Sequence, residues 1–371
     1  MRIGIVELYY GESGKKGFYN NQELGVAKAF KAKGYEIIVF YPQNDIDNII
    51  EEFVEDRIKI VYVPATTIGN HSKYDWNILK NYNVDIVQIG SDNQMYAPSL
   101  IRFCDKNDIP LYNYIGTTKS DTNCIIKSCI MRFLFLRNVV YYRKHKCFAK
   151  TTFVKKELEK YGIKNVEVAN VGLDTTIIPN VMDDRHSIRS KLSIPNNTKV
   201  LLYVGRMEEY KRPLEAIQLL TKLPDRFLLI MVGTGTLDLQ VDKIINNSNL
   251  GKRVRRIKKM SNNEIHQYYK AADYFLNFNR KEIFGMSILE AMYQGCSVIA
   301  FHAPGPDEII SRNTDGFLVS TIDEMRDIIT ENKKIGKERA RERVLEFFMW
   351  EKTVEKFDSW IKNSIGAAHI K

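Results

Sequence analysis

The sequence predicts an α/β protein built from two doubly wound domains that face a central cleft. Three observations predict it. The chain has 371 residues, more than one ordinary core accommodates. Each half alternates short β-branched runs with segments of helical spacing, the rhythm of parallel strands covered by helices on both faces. Between the halves, Asp183 to Thr198 is polar, with Pro195 and two asparagines, and reads as a linker.

In the first half, Arg2 to Leu8 reads as a strand and Gly11 to Gly17 as a glycine-bearing loop. Asn21 to Lys33 reads as a helix, with Leu24, Ala27, Lys28 and Lys31 at helical spacing and Gly34 as its stop. Tyr35 to Tyr41 is a second strand, closed by Pro42. Ile58 to Val63 and Val84 to Ile89 are β-branched runs typical of buried parallel strands. Ala97 to Lys106 is a helix ahead of the strand Pro110 to Ile115.

The second half repeats the rhythm. Val200 to Val204 is a strand, and Pro213 opens a helix where its missing N–H costs nothing. Phe227 to Val232 is a strand ending in Gly233-Thr234-Gly235. A helix from Glu264 to Ala272, a strand from Tyr274 to Phe278, a helix from Ser287 to Gln294 and a strand from Ser297 to Phe301 follow. Val344, Phe347, Phe348, Val354, Phe357 and Ile361 predict one long amphipathic closing helix. The expected domains are residues 1–182 and 199–343, with 183–198 as linker and 344–371 as closing helix and tail.

Composition narrows the class. Hydrophobic residues at 44% and charged residues at 27% fit a water-soluble globular protein. No apolar run reaches the roughly 18 residues needed to span a bilayer. The N-terminus reads as a first strand, not a secretory signal, so a cytoplasmic location is expected. Cys104, Cys124, Cys129, Cys147 and Cys296 have no zinc spacing, and they read as reduced thiols. No metal site is expected. The net charge of +10 is unevenly placed: Lys127 to Lys164 holds 11 Lys or Arg against Glu157 and Glu159. A second basic run spans Lys252 to Lys259. Both suit anionic partners such as membrane lipid, diphosphates or nucleic acid.

Ligands of doubly wound sheets bind beyond the carboxyl ends of the strands. Two segments there carry chemistry. In Val204 to Pro213, Arg206 and Lys211 sit between a strand and a helix start. Cations beside a helix N-terminus suit a diphosphate; the bland alternative is a solvated loop. In Asn279 to Met292, Gly285 lets backbone approach a ligand, and the N–H groups of Met286 and Ser287 would face it. Glu282 suits sugar hydroxyls, and Glu290 suits the two hydroxyls of a ribose. Ser287 to Glu290 also spells a capping box, in which Glu290 only satisfies the Ser287 N–H.

Together these segments resemble the retaining family 4 glycosyltransferases of the GT-B fold. The signature is two glutamates separated by seven residues, here Glu282-Ile283-Phe284-Gly285-Met286-Ser287-Ile288-Leu289-Glu290, followed by Ala291-Met292. Arg206 and Lys211 after Val204-Gly205, the turn Gly233-Thr234-Gly235, Gly295, Pro304-Gly305, Glu308-Ile309-Ile310 and Asp315 to Val319 follow the family's order. The likeness is strong from about Val200 to Ser320. Val166 to Asp174 is similar to the family's crossover segment, and the first 165 residues match mostly in architecture.

The resemblance implies two Rossmann-like domains, with the closing helix crossing back to the first. It implies that the second domain binds a nucleoside-diphosphate sugar and that a hexosyl group is transferred with retention at the anomeric carbon. Arg206 and Lys211 would neutralise the departing diphosphate, Glu282 would sit beside the sugar, Glu290 would bind the ribose, and Lys259 would pass the base. Gly205, Gly233, Phe284, Gly285, Met286 and Ser287 would complete the donor site. No cofactor or divalent metal would be needed, consistent with no Asp-x-Asp motif beyond Asp45-Ile46-Asp47, which reads as a helix-start pair.

One position departs from the pattern. Many members carry a histidine after a strand of the first domain; Ile109 to Ile115 leads instead to Gly116. The acceptor-side candidates are therefore Glu7, Gly17, Asp92 and Gly116, with an ordinary loop or cap role as the alternative for Glu7 and Asp92.

The stretch from Lys127 to Lys146 mixes basic residues with Ile130, Phe133, Leu136 and Val140. Such a segment can lie in an anionic membrane interface; the alternative is a core helix with a solvated basic face. The interface reading makes the protein peripheral on the inner face of the cell membrane, with a saccharide or lipid-linked acceptor, as in cell-surface polysaccharide assembly. Tyr and Phe form no stacking motif, which argues against nucleic acid. Rival readings are an epimerase or phosphorylase of the same fold, or an inactive binding protein.

Overall fold

In the computed structural model of the protein, the residues described are 1–11, 22–119, 124–179, 181, 183–248, 250–311 and 313–368. The chain divides into a first unit, Met1–Gly172 with Trp350–Lys371, and a second unit, Leu173–Met349.

The first unit is built on strands β1 (Arg2–Glu7), β2 (Glu36–Gln43), β3 (Ile50–Glu55) and β4 (Ile58–Pro64), a small hairpin β5 (Thr66–Ile68) and β6 (His71–Lys73), then β7 (Ile86–Gly90), β8 (Leu111–Ile115), β9 (Lys146–Ala149) and β10 (Val166–Val168). The main sheet runs β10-β9-β8-β7-β1-β2-β4-β3. Its neighbours are parallel except β3 against β4. The chain winds from β1 outward to β2, then returns to set β7 on the other side of β1. Strand order therefore reverses at β1 and β7, where such sheets open a ligand crevice.

Pro42 lies inside β2 instead of closing it. Even-numbered residues of β2 donate toward β1, as Glu36 does to Met1. Pairing with β1 ends at Val6↔Phe40, so the N–H that Pro42 lacks has no ladder acceptor to miss. Asp45 and Asp47 start no helix; they lie in the loop before β3. The hairpin of β3 and β4, turning at Arg57 with φ 64°, was not anticipated in so acidic a stretch.

The predicted closing helix is two helices, Lys337–Phe347 and Trp350–Ala368, broken at Phe348. The first belongs to the second unit and the last to the first unit. Phe357 explains the docking of the last helix. It is fully buried, with ring centroids 4.7 Å from Phe148, 5.0 Å from Tyr112 and 6.0 Å from Phe30. Buried aromatic clusters of this kind contribute both area and edge contacts. Tyr35 Oη adds a hydrogen bond to Asp358 at 2.6 Å.

The second unit carries a six-stranded parallel sheet of β11 (Lys199–Val204), β12 (Phe227–Val232), β13 (Val254–Ile257), β14 (Tyr274–Asn277), β15 (Ser297–Phe301) and β16 (Phe317–Val319). Its order is β13-β12-β11-β14-β15-β16, again reversing at the first strand. The expected linker is largely structured. Arg185–Lys191 is a helix capped by Asp184, whose carboxylate accepts from His186 and Ser187. Arg189 from this helix is buried and pairs with Asp273 at 2.8 Å, beside Arg185 at 3.0 Å and Lys334 at 2.6 Å. Burial pushes the Asp273 carboxyl up, but Lys334, the Val200 N–H and Arg185 outweigh it and hold it well below the usual range.

Candidate functional site

The second unit gathers its polar groups at the carboxyl ends of β11, β12 and β14. Gly205 directly follows β11 and Gly233 directly follows β12. Gly233 has φ +129°, and a Cβ there would lie 2.1 Å from the Gly205 carbonyl oxygen. Only glycine allows the two loops to approach this closely. The Met207 N–H then donates to Thr234 O at 2.9 Å, tying the loops together.

The loop after β11 carries the two predicted cations. Tyr203 Oη, buried on β11, lies 3.3 Å from the Arg206 carbonyl and 3.2 Å from the Lys211 carbonyl. Arg206 donates to Tyr210 Oη and stands over that ring, 5.5 Å from its centroid. Lys211 Nζ lies 5.4 Å from the same ring. Arg212 takes the left-handed conformation, φ 56°, directly before Pro213. A proline disfavours the right-handed helical region for the residue before it, so the short 3-10 turn Glu209–Lys211 cannot run on into the helix Pro213–Thr221.

Glu282 meets Lys211 from the adjoining strand end. Its Oε2 lies 2.6 Å from Lys211 Nζ and accepts from Asn279 Nδ2 at 3.1 Å and Asn277 Nδ2 at 3.4 Å. The Gly305 N–H donates to the Glu282 carbonyl at 2.9 Å, which fixes the loop from behind. The Glu282 side chain is 12% exposed, so water screens the pair only weakly.

Gly285, φ +105°, turns the chain into the helix Met286–Tyr293. Gly285 is its N-cap, and Met286 and Ser287 occupy the first turn, where N–H groups lack intrahelical acceptors. The capping-box alternative for Glu290 fails, because Ser287 is inside the helix and the helix has no side-chain cap bond. Glu290 instead faces inward: it is buried and accepts from Tyr269 Oη at 2.9 Å. Burial pushes its carboxyl up to about 7, against a smaller lowering from Tyr269. Phe284 is buried against Phe348. Lys259 is exposed in the loop beyond β13, not on the strand.

The sequence reading missed Tyr203, Tyr210, Tyr269, Asn277 and Asn279. Only the asparagines left a local signal, flanking β14's end. The basic run Lys252–Lys259 is partly structural. Arg253 donates to the carbonyls of Leu220, Leu223 and Pro224. Arg255 donates to those of Leu192 and Ser193, and Arg256 pairs with Asp238 and Asp242.

In the first unit, Glu7 and Asp92 share one cavity of about 390 Å³ at the carboxyl edge of β1, β7, β8 and β9. Asp92 Oδ1 accepts from the Gly116 N–H at 2.6 Å and the Thr117 N–H at 3.2 Å. Gly116 thus serves through its backbone, and a Cβ there would press on Lys150 Cδ at 3.0 Å. Gly17 lies outside the described residues.

The helix Ile125–Tyr142 resolves the alternatives for the basic stretch in part. Leu134, Phe135, Val139 and Tyr142 are buried. Ile126, Ile130, Phe133, Leu136 and Val140 are 43–71% exposed, and Ile125 is 80% exposed. The helix is therefore apolar on both its buried and its open faces. Among the described residues, no helix is long and apolar enough to cross a membrane.

Residues 184–343 match the family model Glycosyl transferases group 1. The N-acetyl-alpha-D-glucosaminyl L-malate synthase of Bacillus anthracis is 24% identical over 211 residues, covering 52% of this chain and 55% of that protein. The alpha-monoglucosyldiacylglycerol synthase of Streptococcus pneumoniae is 29% identical over 135 residues, covering 35% of this chain and 30% of that protein. The chain thus spans about half, or less, of the length of these relatives. The structure of sucrose-phosphate synthase from Thermosynechococcus elongatus superposes with a TM-score of 0.79 at 15% identity, covering 99% of each chain. That likeness is one of fold: two Rossmann-like domains of the GT-B type. The family match lies within the second unit.

Proposed function

We propose that the protein transfers a hexosyl group from a nucleoside-diphosphate sugar to an acceptor, with retention at the anomeric carbon. One observation carries the reading most: Lys211 Nζ and Glu282 Oε2 are 2.6 Å apart, with Arg206 on the same loop. As the glycosidic bond breaks, charge builds on the leaving diphosphate. Arg206 and Lys211 are preorganised to stabilise it. Glu282 holds Lys211 in place and offers its other oxygen to a sugar hydroxyl. Glu290 leaves Tyr269 to take the ribose hydroxyls, Lys259 borders the base, and the N–H groups of Met286 and Ser287 face the donor. The two cations supply what a divalent metal would supply elsewhere, so none is required.

The acceptor side belongs to the first unit, with Glu7, Asp92 and Gly116. The exposed apolar face of Ile125–Tyr142, with Lys127 and Arg132 on it, supports seating on an anionic membrane. A peripheral enzyme on the inner face of the cell membrane with a lipid-linked acceptor follows from that. The alpha-monoglucosyldiacylglycerol synthase is a relative whose name specifies a lipid product.

A thermal-shift screen with nucleotide sugars differing in base and sugar tests the donor reading. A donor at 100 times its dissociation constant adds about 2.7 kcal/mol and raises Tm, and the shift disappears in Lys211→Ala. No shift with any of the common uridine, guanosine, adenosine or thymidine diphosphate sugars would overturn it.

A further inference from the structure

The cavity of the first unit has chemistry beyond Glu7 and Asp92. Its walls include Glu7 at the end of β1, Glu23 on the first helix, Gln88 on β7, Asp92 beyond β7, Tyr114 on β8 and Lys150 beyond β9. A volume of about 390 Å³ falls in the range of small-ligand pockets. Tyr114 is 5% exposed, and its hydroxyl has no hydrogen-bond partner among the described residues. A buried phenol is seldom left unpaired unless something else fills its place.

The charge balance is lopsided. Glu7, Glu23 and Asp92 face one ammonium, Lys150, which lies 4.9 Å from the Tyr114 ring centroid and 3.2 Å from Gln22 Oε1. Asp92 is already committed to two backbone N–H groups. Tyr41 donates to Glu23 Oε2 at 3.0 Å. Burial first, then the charge of Glu23, pushes the Glu7 carboxyl up. The cavity therefore offers acceptors at Glu7, Glu23 and Gln88, donors at Tyr114 and Lys150, and a net negative charge even with Glu7 neutral.

Building on the acceptor role proposed for the first unit, we infer that this cavity is a subsite for a sugar ring without a negatively charged substituent, and that it rejects uronic acids and phosphorylated rings. Hydroxyl groups donate to the carboxylates and accept from Tyr114 and Lys150. A carboxylate or phosphate on the ring would meet three carboxyls with one cation to offset them, a repulsion that the low dielectric of the cavity strengthens.

Saturation-transfer NMR on the full chain tests this with glucose, galactose and mannose, each paired with its uronate. At least one hexose is expected to bind, with its uronate at least tenfold weaker. Tyr114→Phe weakens the hexose several-fold. The double variant Glu7→Gln, Glu23→Gln narrows the gap between hexose and uronate. Equal binding of hexose and uronate overturns the inference, as does hexose binding indifferent to these substitutions, or no binding by any of the three hexoses. Titration of the same variants with nucleotide sugars separates the two readings. Retained donor binding leaves the donor site standing whatever the hexoses do, and loss of donor binding in the wild-type chain removes the donor site without reference to this cavity.

Discussion

The Tyr203 hydroxyl stands 3.2 Å from the backbone carbonyl of Lys211, buried on the strand below it. The same hydroxyl reaches the Arg206 carbonyl. One buried phenol thus ties down both ends of the loop that presents the two cations. Burial pushes this phenol far up, so it remains a donor at every working pH. Tyr203→Phe keeps the ring and removes the tie. It is expected to cost about 1 kcal/mol of stability and to lower kcat about tenfold with less effect on donor KM. Steady-state kinetics beside urea unfolding measure both. Unchanged kcat would show that the loop holds its shape without Tyr203.

Glu290 gives a pH signature. Its carboxyl is buried and pushed from 4.5 up to about 7. Below 4.5 both the folded and the unfolded chain hold its proton. Between 4.5 and 7 only the folded chain does, so this group's contribution to stability falls as pH rises through that window. The change amounts to about 3 kcal/mol. Glu290→Gln cannot titrate there. Relative to that variant, the wild-type chain is expected to lose stability between pH 5 and pH 8, read by denaturant unfolding. Parallel pH curves for the two proteins would show that Glu290 is ionised in the fold. In the same variant, nucleotide-sugar affinity is expected to fall at least tenfold if Glu290 holds the ribose.

The helix Ile125–Tyr142 leads to a membrane prediction. Ile126 and Phe133 are 71% and 68% exposed, and their change to serine does not disturb the core. The wild-type chain is expected to co-sediment with anionic vesicles of phosphatidylglycerol at low salt, and to release as salt rises. The double variant Ile126→Ser, Phe133→Ser is expected to remain in the supernatant. Equal sedimentation of both proteins would assign binding to charge alone.

Much of the second unit was legible because its signals are local. The strand ends, Pro213, Gly285 and the paired glutamates all sit within a few residues of the loops they shape. What was hidden depends on distant partners. Arg189 looked like linker polarity, and only Asp273, brought alongside by the sheet, makes it a buried anchor. Arg253, Arg255 and Arg256 looked like a basic patch, yet their guanidinium groups satisfy carbonyls and carboxylates of neighbouring elements. Of the residues expected on one closing helix, Val344, Phe348, Val354, Phe357 and Ile361 are buried, in different units on either side of the break, whereas Phe347 is exposed. Glu7 and Asp92 are legible because they stand at strand ends. Glu23 and Tyr114, which share their cavity, come from elsewhere in the chain and left no local signal.

The measurement that tests the donor site most directly is turnover of an active donor by Lys211→Ala and Glu282→Ala, with the donor saturating and with excess EDTA present throughout. The contact at 2.6 Å places both groups in one electrostatic unit. Each variant is expected to fall at least about a hundredfold, near 3 kcal/mol, while the wild-type rate is unaffected by the chelator. Near-wild-type turnover in either variant, or loss of wild-type activity to EDTA, would contradict it.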